Sequence, residues 1–310
     1  MAKYKTALVT GGAGFIGSHM VDALIRRRVK VYVIDDLSTG SRKNLNPNAT
    51  FYKMSVTDEA AAKLIARLKP DVIFHLAAQI DVRCSVEDPP SDAQVNVMGT
   101  LNIAHAAAKA GVKKFIFTSS GGAMYPDTHR PPYSEKTPDE PLSPYAIAKR
   151  SAEMYLDFEH RIHGLKYVVL RLANAYGPRQ ALRGGYAGVI SVFARQLLAG
   201  EKVVINGSGK QTRDYVYVAD IVRAHMLAME KNVTGIFNIG TGVQTSVNTL
   251  FQRIKQLTGS KQTQTHGPSC KGEVVRSALD ARKAQKELGW KPEVSLEEGL
   301  KKTVLWFKNM

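Results

Sequence analysis

Tyr145 and Lys149 stand four residues apart and carry a phenol and an ammonium group. Four residues make about one turn of an α-helix, so both side chains lie on one face if the segment is helical. Ser143 and Pro144 precede them, and a serine cap with a proline in the first turn is typical of a helix start. We predict that this pair takes a proton from a substrate hydroxyl and returns it.

A glycine-rich turn follows the first predicted strand, and a helical pattern continues from it. Glycines in this context allow a tight turn, a close approach of the backbone to a pyrophosphate, and packing of the helix start against the strand. The phosphates would lie on free N–H groups at the positive end of the helix. We therefore predict a dinucleotide site that includes Gly11, Gly14, Phe15, Ile16 and Gly17.

Asp35 ends the second predicted strand, at the distance from the glycine turn where a carboxylate accepts hydrogen bonds from the adenosine ribose. It would repel a 2′-phosphate, and Asp36 rather than an arginine follows it. These two residues predict NAD rather than NADP as the cofactor. Asp58, after a third strand-like segment, is a candidate adenine contact, although capping of the next helix would explain it as well.

A tyrosine acts as a base near neutral pH only if its phenolate is stabilised. Its ordinary pKa is about 10, so a decrease of about three units, roughly 4 kcal/mol, is needed. One cation about 5 Å away supplies roughly 3 kcal/mol at an effective dielectric constant near 20. Lys149 and an oxidised nicotinamide would provide two such cations. The hydroxyl of Ser119 or Ser120, at the end of a predicted strand, could hold the substrate oxygen, or these serines could simply form the turn.

These residues need a scaffold that brings strand ends together. Short β-branched runs alternate with longer helical patterns, which predicts an α/β fold with a Rossmann-type doubly wound parallel sheet. We expect residues 1–172 to form the cofactor domain, with about 213–240 packing back onto it, and 173–310 to form mostly a smaller substrate lobe. The strands are predicted at 6–10, 31–34, 72–74, 115–117 and 167–170, and helices at 60–68, 94–110 and 145–163.

Composition and charge narrow the class of protein. A hydrophobic fraction of 44% in 310 residues can form a sizeable core without metals or disulfides. Cys84 and Cys270 lie far apart and outside any Cys/His cluster, so we predict no metal site and a reducing, cytoplasmic location. No apolar run is long enough to span a membrane. The net charge of +16 could attract polyanions, but no nucleic-acid-binding motif accompanies it, so we expect no specific nucleic-acid partner and no membrane.

With these motifs the chain resembles the extended short-chain dehydrogenase/reductase superfamily, and within it the sugar-nucleotide enzymes similar to UDP-glucose 4-epimerase. The resemblance covers nearly the whole chain. It rests on residues 10–17, 35–40, 75–79, 119–125, 143–149, 171–174, 209–218 and 237–240.

The resemblance implies a set of residues for each ligand. For NAD, beyond the glycine turn, it implies Asp35, Asp36, Ser38, Thr39, Gly40, Val56, Asp58, Leu76, Ala77, Ala78, Gln79, Asn96, Tyr145 and Lys149. For a UDP-sugar it implies Ser120, Tyr145, Asn174, Val189, Arg213 and Arg276. Arginines suit a diphosphate because the guanidinium group binds two oxygens at once, but they could also be ordinary surface residues.

The resemblance also implies a reaction. Tyr145 would take the proton of the 4-hydroxyl while the adjacent hydride passes to NAD, and the hydride would return to the other face of the 4-ketone. NAD would be regenerated in each cycle and stay bound. Helices near 94–110 and 145–163 resemble those that pair in homodimers of relatives.

Several positions depart from the family pattern. Gly121 stands where many relatives carry the catalytic serine or threonine, which leaves Ser119 or Ser120 to supply the hydroxyl. Pro126 and Cys270 replace a usual glycine and a frequent arginine. Ser277 lies where a bulky side chain in some relatives restricts the sugar pocket, so its small size leaves room for an N-acetyl group.

Other functions stay open at this point. A UDP-uronate 4-epimerase or decarboxylase would also suit a basic pocket. Sugar dehydratases are disfavoured because Gly122 and Ala123 stand where they need an Asp-Glu pair. A non-catalytic member that binds NAD or RNA is supported only by the net charge, and Tyr145 with Lys149 argues against it.

Overall fold

A sheet of seven parallel strands forms the centre of the protein. The structure is a computed structural model that describes residues 4–125, 129–181, 188–269 and 274–310. The central strands are β1 (Thr6–Thr10), β2 (Lys30–Asp35), β3 (Thr50–Lys53), β4 (Val72–His75), β5 (Lys114–Ser120), β6 (Tyr167–Leu172) and β11 (Gly235–Ile239). Their order across the sheet is β11-β6-β5-β4-β1-β2-β3. Most of their side chains are buried on both faces, as the nearly continuous apolar runs require. The predicted fold class is confirmed.

Helices cover both faces of this sheet. One face carries α1 (Phe15–Arg26) and α8 (Val218–Glu230), and the other carries α2 (Glu59–Leu68), α5 (Thr100–Lys109) and α6 (Pro144–His163). Each helix contributes one apolar side to a core, for example Leu24 of α1 and Ile103 of α5. Short helices α3 (Val82–Glu87) and α4 (Pro89–Ala93) lie before α5.

Helix α6 begins where its sequence indicates. The Ser143 hydroxyl accepts a hydrogen bond from the Ala146 N–H at 3.2 Å, and Pro144 occupies the first turn. The helix ends at Gly164, whose φ of 72° is a left-handed conformation that glycine adopts without strain. The capped start therefore places Tyr145 in the first turn.

The segment 94–110, predicted as one regular helix, begins with a π-helical turn before α5. Residues Gln94–Gly99 form a wider π-helical turn, and α5 follows it. The Asn96 side chain is buried here and bonds Gln79 and Asp92, while the Thr100 hydroxyl donates to the Asn96 carbonyl oxygen at 2.7 Å. Polar contacts to neighbouring loops thus accompany a turn that regular periodicity did not predict.

The remaining elements form a second core beside the sheet. It is built from α7 (Val189–Leu198), α9 (Val247–Thr258) and α11 (Leu296–Lys308), with Phe193, Phe251 and Phe307 among its buried side chains. The other elements are β7 (Asn174–Tyr176), β8 (Val203–Asn206), β9 (Thr212–Arg213), β10 (Tyr215–Tyr217), β12 (Thr245–Ser246), β13 (Gln264–Gly267) and α10 (Arg282–Leu288), with a 3-10 turn at Arg42–Asn44. In the described part of the chain, every helix is too short or too polar to cross a bilayer.

Candidate active site

Lys149 lies inside the protein at the carboxyl end of β5. It is 3% exposed, and its Nζ donates a hydrogen bond to the Thr118 carbonyl oxygen at 3.1 Å. The same Nζ lies 5.9 Å from the centre of the Tyr145 ring and 4.8 Å from that of Phe117. The four-residue spacing therefore does bring the phenol and the ammonium group together, with Tyr145 half-buried above the sheet edge.

Burial changes the acid–base chemistry around this lysine. It lowers the pKa of Lys149 to about 8, while the carboxylates of Asp92 and Glu153 act in the opposite direction. His75 on β4 is fully buried, and burial together with the charge of Lys149 lowers its pKa to about 3. At neutral pH the imidazole is therefore neutral and the lysine is still mostly protonated, so Lys149 is a cation beside Tyr145.

The two candidate serines differ in their surroundings. The Ser119 hydroxyl is buried and donates to Glu153 Oε1 at 2.6 Å. Ser120, the next residue on the strand, is half-buried and points to the other face, because successive side chains of a strand alternate. A Cβ built on Gly121 would overlap the buried Leu279 side chain. A larger residue than glycine would therefore collide with Leu279 at position 121, and the Ser119 hydroxyl is engaged by Glu153, whereas the described part of the chain shows no such bond for Ser120.

Sequence analysis did not identify the buried network behind Ser119. Arg171, 1% exposed, binds Glu153 through Nε at 3.0 Å and Nη2 at 2.6 Å, and binds Asp139 at 2.7 and 3.1 Å. It also donates to the Tyr125 hydroxyl at 3.0 Å, which in turn donates to Asn238 at 2.9 Å. An arginine inside an apolar strand was the only available signal. The network joins β5, β6, β11 and α6 behind the site.

The glycine turn has the tight shape that a pyrophosphate cradle needs. Gly11 has a φ of 69°, and a Cβ there would lie 2.7 Å from the Ala77 nitrogen. A Cβ on Gly17 would overlap the Gly11 carbonyl group. Helix α1 starts at Phe15, directly after Gly14. The N–H groups of its first turn, which include those of Phe15 and Ile16, therefore face the glycine turn. The residues present fit a dinucleotide.

Asp35 fixes the loop beside that turn. Its carboxylate accepts hydrogen bonds from the Leu37 N–H at 2.8 Å and the Ala13 N–H at 3.0 Å. Burial raises the pKa of Asp35, and these two hydrogen bonds oppose the shift. Each oxygen keeps a further lone pair, so ribose binding stays a prediction compatible with this geometry. The loop continues through Asp36, which accepts from the Ser38 N–H at 2.8 Å, to Thr39 and Gly40.

Asp58 is the N-cap residue of α2, but its side chain makes no capping hydrogen bond. Its carboxylate accepts from the Ser55 N–H at 2.8 Å, and it makes no side-chain hydrogen bond to the first turn of α2. The capping alternative is therefore correct for the position of Asp58 but not for its carboxylate, which turns back to close its own loop. Val56 in that loop is buried, and its carbonyl oxygen accepts from Asn102 at 2.8 Å. The adenine contact by Asp58 stays a prediction.

The loop after β4 is held in place by polar contacts. The Thr10 hydroxyl accepts from the Leu76 and Ala77 N–H groups at 3.2 Å. Ala78 follows, and the Gln79 N–H donates to the Asn96 side chain at 3.0 Å. These half-buried residues lie next to the glycine turn, since Ala77 borders Gly11. The structure therefore brings this predicted part of the cofactor site together with the glycine cradle.

Two of the predicted substrate residues, Asn174 and Arg213, lie on short strands outside the central sheet. Arg213 ends β9, and the adjoining Thr212 forms a parallel bridge with Arg276. The Arg213 side chain donates to the Thr212 carbonyl oxygen at 2.9 Å, whereas Arg276 is exposed. The structure thus places the two arginines on adjoining segments, and Ser277 is buried next to them.

Two further predicted residues and one missed residue complete this region. Asn174 begins β7 and donates its N–H to the Asp214 carbonyl oxygen at 2.9 Å, and Val189 is the first residue of α7. The buried Asp214 carboxylate, which sequence analysis did not single out, accepts from the N–H groups of Thr241 at 3.0 Å and Leu279 at 3.2 Å. It therefore holds Leu279 against Gly121. Pro126 and Cys270, the two other departures from the family pattern, lie outside the described residues.

The chain is similar to known proteins over nearly its whole length. Residues 7–240 match the sequence profile of the NAD dependent epimerase/dehydratase family. The UDP-glucose 4-epimerase of Mycolicibacterium smegmatis is 45% identical over 308 residues, 97% of this chain and 98% of that protein.

Two solved structures share the fold in full. The UDP-glucose 4-epimerase of Thermotoga maritima, with UDP-glucose, is 51% identical, with a TM-score of 0.96 and coverage of 98% of this chain and 99% of that one. The UDP-N-acetylglucosamine 4-epimerase of Methanobrevibacter ruminantium, in complex with UDP-N-acetylmuramic acid, is 38% identical, with a TM-score of 0.93 and coverage of 99% of each chain. From the profile match, these similarities and the site geometry we conclude that the chain belongs to the NAD dependent epimerase/dehydratase family.

Proposed function

We propose that this protein is an NAD-dependent epimerase that inverts the 4-hydroxyl of a UDP-sugar. The observation that carries the proposal is the buried Lys149 ammonium group, 5.9 Å from the centre of the Tyr145 ring. The relatives named UDP-glucose 4-epimerase, at 45% and 51% identity, support the same activity.

The chain's own residues would hold the cofactor in a defined orientation. The turn from Gly11 to Gly17 and the start of α1 would bind the pyrophosphate, and Asp35 the adenosine ribose. When bound, NAD supplies the reversible oxidation of the carbon that carries the hydroxyl. We assign this role to residues 1–172 with about 213–240, and sugar-nucleotide binding mostly to 173–310.

Tyr145 would move the proton. A cation at about 6 Å stabilises a phenolate by roughly 3 kcal/mol at an effective dielectric constant near 20, or about two pKa units. The Lys149 Nζ lies 5.9 Å from the centre of the Tyr145 ring and is held there by its hydrogen bond to the Thr118 carbonyl oxygen, which supports a stabilisation of this order. Ser120 would hold the substrate oxygen, since the Ser119 hydroxyl is bonded to Glu153.

Arg213 and Arg276 would bind the diphosphate, with Asn174 and Val189 beside the rest of the nucleotide. The support is the bridge between Thr212 and Arg276, which places Arg276 on the segment that adjoins Arg213. The small Ser277 leaves room for an N-acetyl group, and the relative named UDP-N-acetylglucosamine 4-epimerase supports a substrate of that kind.

We also propose that the protein is a homodimer that pairs through α6. The helix exposes a row of large apolar side chains that no element of the described chain covers, and such rows mark protein interfaces. These residues are Ile147, Met154, Tyr155, Phe158 and Ile162. Light scattering tests the dimer. The scarcity of cysteines supports a cytoplasmic location.

The activity is tested by incubating the purified protein with UDP-glucose, UDP-N-acetylglucosamine and UDP-glucuronate, each in its own reaction, and identifying the products. Interconversion of one of the first two with its 4-epimer is expected. Turnover of the uronate alone would reassign the protein to uronate epimerases or decarboxylases. Failure to form a 4-epimer from any of the three would refute the proposal.

A further inference from the structure

Three side chains that can bind a metal meet near the carboxyl ends of α5 and α6, at the end of α6 away from Tyr145. His105 lies in the last turns of α5, and Glu159 and His163 lie in the last turns of α6, which packs against α5. Their ligand atoms all lie within 4.8 Å of one another. Since His163 is eighteen residues beyond Tyr145 on one helix, at 1.5 Å per residue, the cluster is about 27 Å from the proposed catalytic base.

Glu159 is completely buried, and only half of its carboxylate is satisfied. Its Oε1 is hydrogen-bonded to Nδ1 of His105 at 2.9 Å. Its Oε2 is buried and has no hydrogen-bond partner among the described residues, and it lies 4.0 Å from Nε2 of His163. A buried carboxylate oxygen without a partner is costly, so this atom points to a ligand that the cluster is built to hold.

The donor set selects the class of that ligand. Two imidazoles and one carboxylate suit borderline transition-metal ions such as Zn²⁺, whereas Mg²⁺ and Ca²⁺ prefer sets of oxygen atoms. The carbonyl ends of two helices add negative potential at the same place. Cations are therefore favoured by the ligand atoms and by the backbone together.

The geometry needs only small changes to surround such an ion. In a tetrahedral zinc site with bonds of about 2.0–2.1 Å, neighbouring ligand atoms stand about 3.4 Å apart. The separations in the cluster run from 2.9 Å to 4.8 Å. The side chains of His105 and His163 are 40% and 39% exposed, so both rings have room to turn toward Glu159.

Contrary to the expectation of no metal site from the cysteine pattern, we propose that His105, Glu159 and His163 form a binding site for one divalent transition-metal ion of the zinc class, separate from the catalytic centre. Three protein ligands leave a fourth position for water or for a group from another molecule. The ion would tie the end of α5 to the end of α6, beside the exposed apolar row of α6, since the His163 ring contacts that of Phe158 with centres 5.9 Å apart. Its role would be structural.

The same three residues could instead form a plain ion pair between a protonated imidazole and Glu159, with no metal. Only the metal site should bind one equivalent of zinc through these three side chains, and the ion pair should not. The test therefore measures zinc binding directly and does not depend on enzymatic activity.

The experiment is calorimetric titration of ZnCl₂ into the full-length protein after treatment with a chelator. We expect one equivalent to bind to the wild type, and H105Q and H163Q each to weaken binding by about tenfold or more, as does E159Q. The matched control is H160Q, on the same turn of α6, because Nδ1 of His160 is bonded to the Leu165 carbonyl oxygen at 3.0 Å and not to the cluster. H160Q should bind zinc like the wild type.

A second readout is the visible absorption of bound Co²⁺, which reports the ligand geometry. Circular dichroism of each variant shows whether it is folded, and the two partly exposed histidines make folded variants the expected result. Absence of stoichiometric zinc binding, or binding that H105Q and H163Q leave unchanged, would overturn the proposal. Weakening by H160Q equal to that by H105Q would overturn it as well, because it would show binding to another set of histidines.

Discussion

Helix α6 carries a buried ionisable group near each of its ends, and the two ends treat their charge differently. Near the start, the Lys149 ammonium group is held by a carbonyl oxygen at 3.1 Å, with its pKa lowered to about 8. Near the other end, the Glu159 carboxylate is bonded to His105 through one oxygen only. The Lys149 cation lies near a phenol on which it can act, whereas the Glu159 carboxylate lies among side chains that can bind a metal ion. The comparison separates a reactive end from a binding end on one helix.

The strongest way to test the reactive end is Tyr145→Phe. Removal of the proposed base should lower kcat by about 10²- to 10⁴-fold, while NAD stays bound because the glycine turn is untouched. Steady-state kinetics and the absorbance of bound NAD measure the two effects. Near-normal turnover would contradict the assignment, and loss of NAD would show that the phenol holds the cofactor.

Between the two ends, the network around Arg171 should control stability. Arg171→Met leaves the buried Glu153 without its close cation, and breaking a buried ion pair in this way costs about 3–5 kcal/mol. Asp139, in contrast, keeps its ion pair with Arg150 at 2.7 Å. Chemical denaturation measures the change in the free energy of unfolding. Arg195→Met is the control, because its pair with Glu201 is exposed and should contribute less than about 1 kcal/mol. Equal effects of the two substitutions would contradict the buried network.

At neutral pH, where Lys149 is protonated, its burial should lower the free energy of unfolding. Its folded pKa is about 8 against an ordinary 10.5, so between these values the unfolded chain binds more protons on this residue. The free energy of unfolding therefore rises with pH through this window, by up to about 3 kcal/mol from this residue. Denaturation of the wild type and of Lys149→Met from pH 7 to 10.5 measures it.

If the pKa of Lys149 is lowered in this way, the free energy of unfolding of the wild type should rise relative to that of Lys149→Met as the pH increases from 8 to 10.5. A constant difference would show that the lysine is not held in an unfavourable environment. The variant should also lose turnover, because its phenolate is no longer stabilised.

The smallest effect on stability is expected for a substitution at the proposed metal site when no metal is bound. His163→Gln should change the free energy of unfolding by no more than about 0.5 kcal/mol, because the ring is partly exposed and lies 4.0 Å from Glu159 Oε2. Thermal melting in chelator measures it. A large loss of stability without any metal would indicate that the imidazole is already an essential partner of Glu159.

Local patterns predicted the reactive end well. The serine and proline before Tyr145 set the start of α6, and the four-residue spacing set the face that it shares with Lys149. Alternating apolar runs predicted the parallel strands, because strands buried on both faces must be apolar throughout. The assignment of individual residues to the cofactor and the substrate stays a prediction.

Long-range contacts explain what the sequence did not predict. The π-helical turn at Gln94–Gly99 accompanies contacts from Asn96 to another loop, and Gly121 is explained by Leu279, far away in the chain. In each case the competing partners have similar local signals, and only packing chooses between them.

By itself the amino-acid sequence determined the sheet, the glycine turn and the helix that pairs Tyr145 with Lys149, because periodicity, caps and short spacings act over a few residues. Only the tertiary structure decided that Ser119 faces Glu153 and that His105 joins Glu159 and His163. His105 comes from a different helix than its two partners, and no spacing along a chain encodes how closely two helices approach. The physical reason is that such groups meet through the burial of apolar surface on other faces of the same elements.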